Sequence, residues 1–296
     1  MNLDIVYEKD HVIIKEIHTF EPKHTFECGQ CFRWEREEDG SYTGVVYDKV
    51  LNVKKIGNDV ILYPTNQLDF ENIWIEYFDL HTDYQMIQEH LQAIDPVMKK
   101  AIGFGRGIRI LRQDPWETII SFIISANNNI PRIKRAIDLM SRGYGQPVED
   151  FRGGANYTFP DAATLSKRTV EELLACNTGY RAPYILKTAQ QVSTANIEFQ
   201  NLKKLDRESC QRQLMTFNGI GPKVANCVLF FSMGKFDAFP VDVWVKRVME
   251  ALYFEQKTSH EKIQAFAEKS FGEYAGYAQQ YLFYYARELG IGKSKA

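Results

Sequence analysis

Two residues of this 296-residue chain are suited to chemistry, one as a nucleophile and one as a stabilising charge. One is Lys223, at the head of the apolar stretch VANCVLFFSM. The other is Asp242, nineteen residues on, in FPVDVWVKRVMEALY. A helix start carries positive partial charge and disfavours an ammonium. A lysine there either swings out to solvent on its long stem or is held as a neutral amine. A neutral amine is a nucleophile that forms Schiff bases. Cys227 lies four residues further, on the same helix face. It either shapes the same pocket or fills buried space. Asp242 opens a helix whose apolar positions recur as Val245, Val248, Met249 and Leu252. It serves as an N-cap, and an aspartate there can also stabilise positive charge developing at a sugar carbon.

The elements around Lys223 form a hairpin. DRESCQRQLMTF reads as a helix, NGIGP as a turn and KVANCVLFFSM as a second helix. Gly219 and Gly221 can both take positive φ, and Pro222 suits the first helical position. Amides of such a turn, together with a helix N-terminus, can clamp a backbone phosphate. A purely structural hairpin fits the same turn. Net charge is -2 and the pI about 6.3, a mild argument against nucleic-acid binding. A clamp made of amides needs no net positive charge, so the argument does not exclude it.

The rest of the chain reads as an α+β protein. Residues 1–112 form a β-rich N-terminal domain, and 113–296 a mostly helical one. FRWEREEDGSYTGVVY predicts a hairpin about Asp39-Gly40. VLNVKKI and VILYP, separated by Gly57-Asn58-Asp59, extend it into an antiparallel meander. From Asp83 the period becomes helical. A helix near 85–101 could pack on either domain. Asp114-Pro115 is an N-cap followed by a first-turn proline, and the helix it opens is apolar all round, hence buried. Asn127-Asn128-Asn129 and Ile130-Pro131 end it. Further helices include DAATLSKRTVEELLA and RAPYILKTAQQVSTA. With 45% hydrophobic and 25% charged residues, the chain has the composition of a folded protein. Its five scattered cysteines make a poor disulfide framework. No run is long enough to span a bilayer. A protein of the cytoplasm is expected.

Gly-Ile-Gly-Pro-Lys-Val-Ala followed by Pro-Val-Asp resembles the helix-hairpin-helix DNA glycosylase superfamily. Five further stretches, CGQCFRW, ILRQDPWE, SFIISANNNIPRI, NTGYRAPY and YAGYAQQYLF, resemble its eukaryotic-type 8-oxoguanine DNA glycosylase/AP lyase branch, over nearly the whole chain. No cysteine follows Cys227, so the iron–sulfur loop of other branches is absent. The resemblance implies duplex DNA containing 8-oxoguanine as partner, a monomeric enzyme, and chemistry that needs no cofactor or metal; being shorter at both ends than eukaryotic members suits a prokaryotic or minimal version.

It also implies roles. Lys223 attacks the sugar and Asp242 assists. The Gly29 carbonyl accepts from N7–H of 8-oxoguanine, a hydrogen guanine lacks. Cys227 and Phe283 sandwich the base, and Gln279 reads its edge. Asn127, Arg132 and Arg181 contact the opposite cytosine, and Tyr180 wedges into the duplex. Gly219 and Gly221 receive the phosphate. Read from the residues alone, Gly29 is a turn glycine, Phe283 a core residue, the asparagines a helix end and the arginines solvated. One departure stands out. Trp244 occupies the place where the family usually has a histidine that helps bind the lesion's phosphate, which implies a different grip on that strand.

Overall fold

The structure, a computed structural model, describes residues 3–291. The chain opens with β1 (Asp4–Tyr7), β2 (Val12–Lys15) and α1 (Pro22–Glu27). The strands β3 (Trp34–Arg36), β4 (Tyr42–Val46), β5 (Lys49–Ile56) and β6 (Asp59–Tyr63) follow. They form one sheet in the order β1-β2-β6-β5-β4-β3, antiparallel throughout. β3 to β6 are the expected meander. Gly40 and Gly57 take positive φ at its turns, where a glycine carries no steric cost. The β1–β2 hairpin is an addition. β1 is a four-residue edge strand with no fully buried residue, so it shows little of the alternation that marks a strand. The inner face of the sheet, with Val12, Ile14, Leu51, Val53, Val60 and Leu62, shares one core with Trp34 of β3 and with Phe70, Trp74 and Phe78.

The short helices α2 (Gln67–Asp69) and α3 (Ile75–Tyr77) flank a π-helical turn. Then come α4 (Tyr84–Ile94), α5 (Pro96–Phe104), α6 (Pro115–Ser125) and α7 (Ile130–Tyr144). The helix expected near 85–101 is thus two. The Asp95 carboxylate accepts from the amides of Val97 and Met98 and starts a new helix at Pro96. Tyr84, Ile87, Leu91, Met98 and Ile102 are buried in the larger, helical core. A small hairpin, β7 (Pro147–Val148) and β8 (Asn156–Tyr157), lies within the turn-rich stretch after α7.

α8 (Ala162–Ser166) and α9 (Val170–Ala175) divide DAATLSKRTVEELLA. The divider is a capping box in which Thr169 and Glu172 satisfy each other's backbone amides. α10 (Ala182–Thr194), α11 (Phe199–Lys204), α12 (Arg207–Leu214), α13 (Pro222–Ser232), α14 (Val243–Met249), α15 (His260–Phe271) and α16 (Ala275–Leu289) complete the chain.

α6 is the central helix. Its residues from Pro115 to Ile124 are buried except Glu117, and it packs on α7, α10 and α13. Arg109, fully buried, joins the two cores. Its guanidinium donates to the carbonyls of Phe78 and Thr19 and stacks on Tyr84, 4.2 Å from the ring centroid. A buried arginine is tolerated because these carbonyls satisfy its donors.

Candidate active site

α13 begins at Pro222, so Lys223 sits in its first turn and Cys227 one turn deeper. The Nζ of Lys223 donates to Ser125 Oγ at 3.5 Å, at the end of α6, and lies 5.3 Å from the Phe122 ring centroid. Asp242 caps α14, its Oδ1 accepting from the Val245 amide at 2.7 Å. Burial pushes the Cys227 thiol up, and the Lys223 charge beside it opposes that. Cys227 is therefore a neutral thiol, not a rival nucleophile.

α16 runs past this point and brings Gln279, Gln280 and Phe283. The loop after α1 brings Gly29. Six residues singled out in the sequence, Gly29, Lys223, Cys227, Asp242, Gln279 and Phe283, thus line one cavity with Phe122, Phe231, Pro240, Val245 and Gln280. Its volume is about 60 Å³, room for a few waters and not for a purine. The Phe283 ring closes it against Gly29: a Cβ on Gly29 would lie 3.2 Å from the ring. Gln279 is 5% exposed, and its Oε1 is buried without a hydrogen-bond partner among the described residues. An unpaired buried amide oxygen is costly, unless a ligand supplies the donor.

A second, open cavity of about 690 Å³ lies beyond the end of α6, lined by Asn127, Arg132, Tyr180 and Arg181 among others. Asn127 has φ +50, a conformation asparagine tolerates better than most residues. The Arg132 side chain is exposed. Tyr180 is 58% exposed, a large aromatic left to solvent. Arg181 differs from its expected surroundings. It is 7% exposed, and its donors go to the carbonyls of Ala126, Asn127 and Thr178. In the free protein it holds the Asn127 loop in place. The two cavities flank the C-terminal end of α6: Phe122 of the helix lines one, and Asn127, two residues past its end, lines the other.

The hairpin turn differs from its expected form in one respect. Gly219 has φ +81, but Gly221 is extended, at φ −94 and ψ −178. Gly221 is therefore not demanded by the backbone. A Cβ on Gly219 would meet the Tyr184 Cβ at 2.8 Å, whereas nothing lies within 4 Å of one on Gly221. Gly221 caps α13 without any side-chain bond to the first-turn amides. Asp114, Asn129, Asp206 and Asp242 do cap their helices with side chains. The α13 N-terminus is open to an anion.

Trp244 is partly buried in the first turn of α14, beside Val243, which is 67% exposed. Cys28 and Cys31, spaced like a metal-binding pair, are buried free thiols. Among the described residues, no three His, Cys, Asp or Glu side chains are grouped to hold a metal ion, and no helix is long and apolar enough to cross a membrane.

The sequence reading gave no role to Phe122, Ser125 and Gln280, although they lie within SFIISANNNIPRI and YAGYAQQYLF, and none to Arg287, which lies outside those stretches. Gln30 is another positioning residue. Its side chain bonds the carbonyls of Thr25 and Arg109 and the amide of Leu111. It lies in CGQCFRW, the stretch that also carries Gly29, but a single buried glutamine in a loop has no periodic pattern to mark its role.

Residues 12–119 match the family described as 8-oxoguanine DNA glycosylase, N-terminal domain. Residues 120–273 match the HhH-GPD superfamily base excision DNA repair proteins. The chain is 33% identical to a probable N-glycosylase/DNA lyase of Methanothermobacter thermautotrophicus, over 73% of this chain and 75% of that protein. It is 31% identical to an N-glycosylase/DNA lyase of Arabidopsis thaliana, over 88% and 75%. Among solved structures, it superposes with a TM-score of 0.95 and 46% identity on the 8-oxoguanine glycosylase/lyase of Clostridium acetobutylicum. That structure holds double-stranded DNA with cytosine opposite 8-oxoguanine; the match covers 98% of this chain and 100% of that one.

Proposed function

The chain belongs to the HhH-GPD superfamily of base excision DNA repair proteins, and from that premise we propose how its residues carry out the reaction. It is a bifunctional DNA glycosylase/AP lyase that excises 8-oxoguanine from duplex DNA. The observation that carries the assignment of the site is the convergence of Lys223, Asp242 and Gln279, with its unpaired Oε1, on one cavity.

The open α13 N-terminus and the hairpin amides hold a backbone phosphate of the damaged strand. Tyr180 fills the gap left by the extruded nucleotide, and unstacking that nucleotide costs about a few kcal/mol. Asn127 and Arg132 face the opposite base, with Arg181 holding their loop and contributing its remaining donor. Phe283 swings off Gly29, and the base enters between it and Cys227. Gln279 pairs with the base edge, and the Gly29 carbonyl accepts from N7–H. The Nζ of Lys223 forms a bond to C1′ as the C1′–N9 bond breaks. The electron pair leaves with the base, which takes up the proton shed by the lysine nitrogen. Asp242 stabilises the positive charge at C1′ in that transition state. The nitrogen lone pair forms the C1′=N bond of a protonated Schiff base as the C1′–O4′ bond breaks, and O4′ takes up a proton from water. The released base or water then takes a proton from C2′, a C2′=C3′ bond forms, and the C3′–O bond breaks, expelling the 3′ phosphate and nicking the strand. Nothing in this sequence asks for a metal or cofactor. We further propose that the protein acts as a monomer in the reducing cytoplasm, in keeping with five free, buried cysteines.

The test is single-turnover base release from duplexes carrying 8-oxoguanine, an alkylated purine or an oxidised pyrimidine, the first opposite each of the four bases. 8-Oxoguanine should be released fastest. Faster release of another lesion would overturn the substrate assignment.

The hairpin yields its own prediction. Gly221→Ala should leave the melting temperature within 1–2 °C, because neither φ nor space opposes a Cβ, yet weaken duplex binding about tenfold by blocking the phosphate. Gly219→Ala should destabilise the fold by about 1–3 kcal/mol, since it meets both a positive φ and Tyr184. Thermal melts and fluorescence anisotropy separate the two. Equal behaviour of the variants would contradict the clamp.

A further inference from the structure

The loop Glu27–Gln30 is held by side chains in an unusual way. Arg287 Nη2 donates to the Glu27 carbonyl at 2.5 Å, and Gln280 Nε2 to the Cys28 carbonyl at 2.7 Å. Gln113 Nε2 donates to the Gln30 carbonyl at 2.7 Å. Among the described residues, the Gly29 carbonyl alone of these four has no donor. Gln30 Nε2 donates to the Cys28 thiol at 3.3 Å and to the Thr25 carbonyl at 2.8 Å, so the residues on both sides of Gly29 are tied down, while Gly29 itself lines the cavity that holds Lys223 and Gln279.

We propose that Gln280 and Arg287 are specificity-determining positioning residues, which pin the peptides before Gly29 so that its carbonyl stays turned to the base. The inference rests on the reading that this carbonyl accepts from N7–H. Gly29 has φ +84, and glycine peptides turn over with little steric cost. Turned over, the Gly29–Gln30 peptide would offer its N–H. That donor suits N7 of guanine, which is an acceptor. The clamp thus guards against the undamaged base. Gln280 and Arg287 are two turns apart on α16, with Phe283 between them. The Arg287 guanidinium lies 5.7 Å from the Phe283 ring centroid, and its Nη1 is buried without a partner among the described residues. Phe283 can move to admit a base while the two polar contacts on either side keep the loop still.

The experiment uses the full chain with Lys223→Gln, which binds without turnover, and compares affinity for duplexes containing 8-oxoguanine:cytosine and guanine:cytosine by anisotropy. Adding Arg287→Ala should lower the preference for 8-oxoguanine about tenfold, the worth of one well-made hydrogen bond, with no loss of affinity for the guanine duplex. Arg287→Lys, which can still donate to the Glu27 carbonyl, should keep most of the preference. Gln280→Met, similar in length and without a donor, provides a second arm should Arg287→Ala fold poorly. Unchanged preference in these variants, or equal weakening on both duplexes, overturns the clamp while leaving base reading by Gly29 intact. A parent protein with no preference overturns both.

Discussion

Lys223→Gln is expected to lower base release from an 8-oxoguanine:cytosine duplex by at least about 10³-fold and to abolish the borohydride-trapped adduct, because the proposed mechanism loses its attacking atom. The lysine is half-buried, and in this structure its Nζ makes one long hydrogen bond, to Ser125. A glutamine amide can make that bond, and it leaves no buried charge unpaired. Stability and duplex affinity should therefore stay close to the parent's, so that the loss falls on the chemical step. Single-turnover kinetics with the enzyme in excess measure it. Residual release within tenfold of the parent would mean that water, activated by another group, is the nucleophile.

Asp242→Asn should lower the same rate by about 10²–10³-fold, the range for removing one preorganised electrostatic contact to a developing charge. The choice of asparagine matters. Asp242 caps α14 through Val245, and losing a cap costs about 0.5–2 kcal/mol. Asparagine caps about as well as aspartate, so Asp242→Asn removes the charge and keeps the helix start. Asp242→Ala loses both. If the role is electrostatic, the two variants share the rate defect, and only the alanine variant melts lower. If Asp242 is only a cap, Asp242→Asn is nearly as active as the parent. No direct ion pair joins Asp242 to Lys223 among the described residues. The expected defect thus lies in the rate and not in the resting position of the amine.

What could be read from the sequence follows the range of the interactions involved. Lys223, Cys227 and Asp242 announce themselves locally, through a glycine turn, an i, i+4 spacing and a proline-flanked cap. The same holds for the meander turns and for the start of α6 at Asp114-Pro115. The breaks at Asp95 and Thr169 were also local, but their caps sit inside continuous helical periodicity, which masked them. The β1–β2 hairpin was hidden because an exposed edge strand has little alternation to show. Gln280 and Arg287 could not be seen at all. They act on carbonyls 252 and 260 residues away, and on α16 alone they are only polar interruptions of an apolar helix. Arg181 shows a further limit. Its residue type suits a base edge, yet the fold spends most of its donors on the loop that presents Asn127.

The central claim is that the amine of Lys223 becomes covalently joined to the deoxyribose. The most direct measurement is peptide mapping by mass spectrometry of the protein after borohydride reduction on an 8-oxoguanine:cytosine duplex. One modified peptide is expected, the one containing Lys223, with the sugar remnant on its Nζ. A remnant on any other lysine or on the N-terminal amine, or base release with no modified peptide, would contradict the claim.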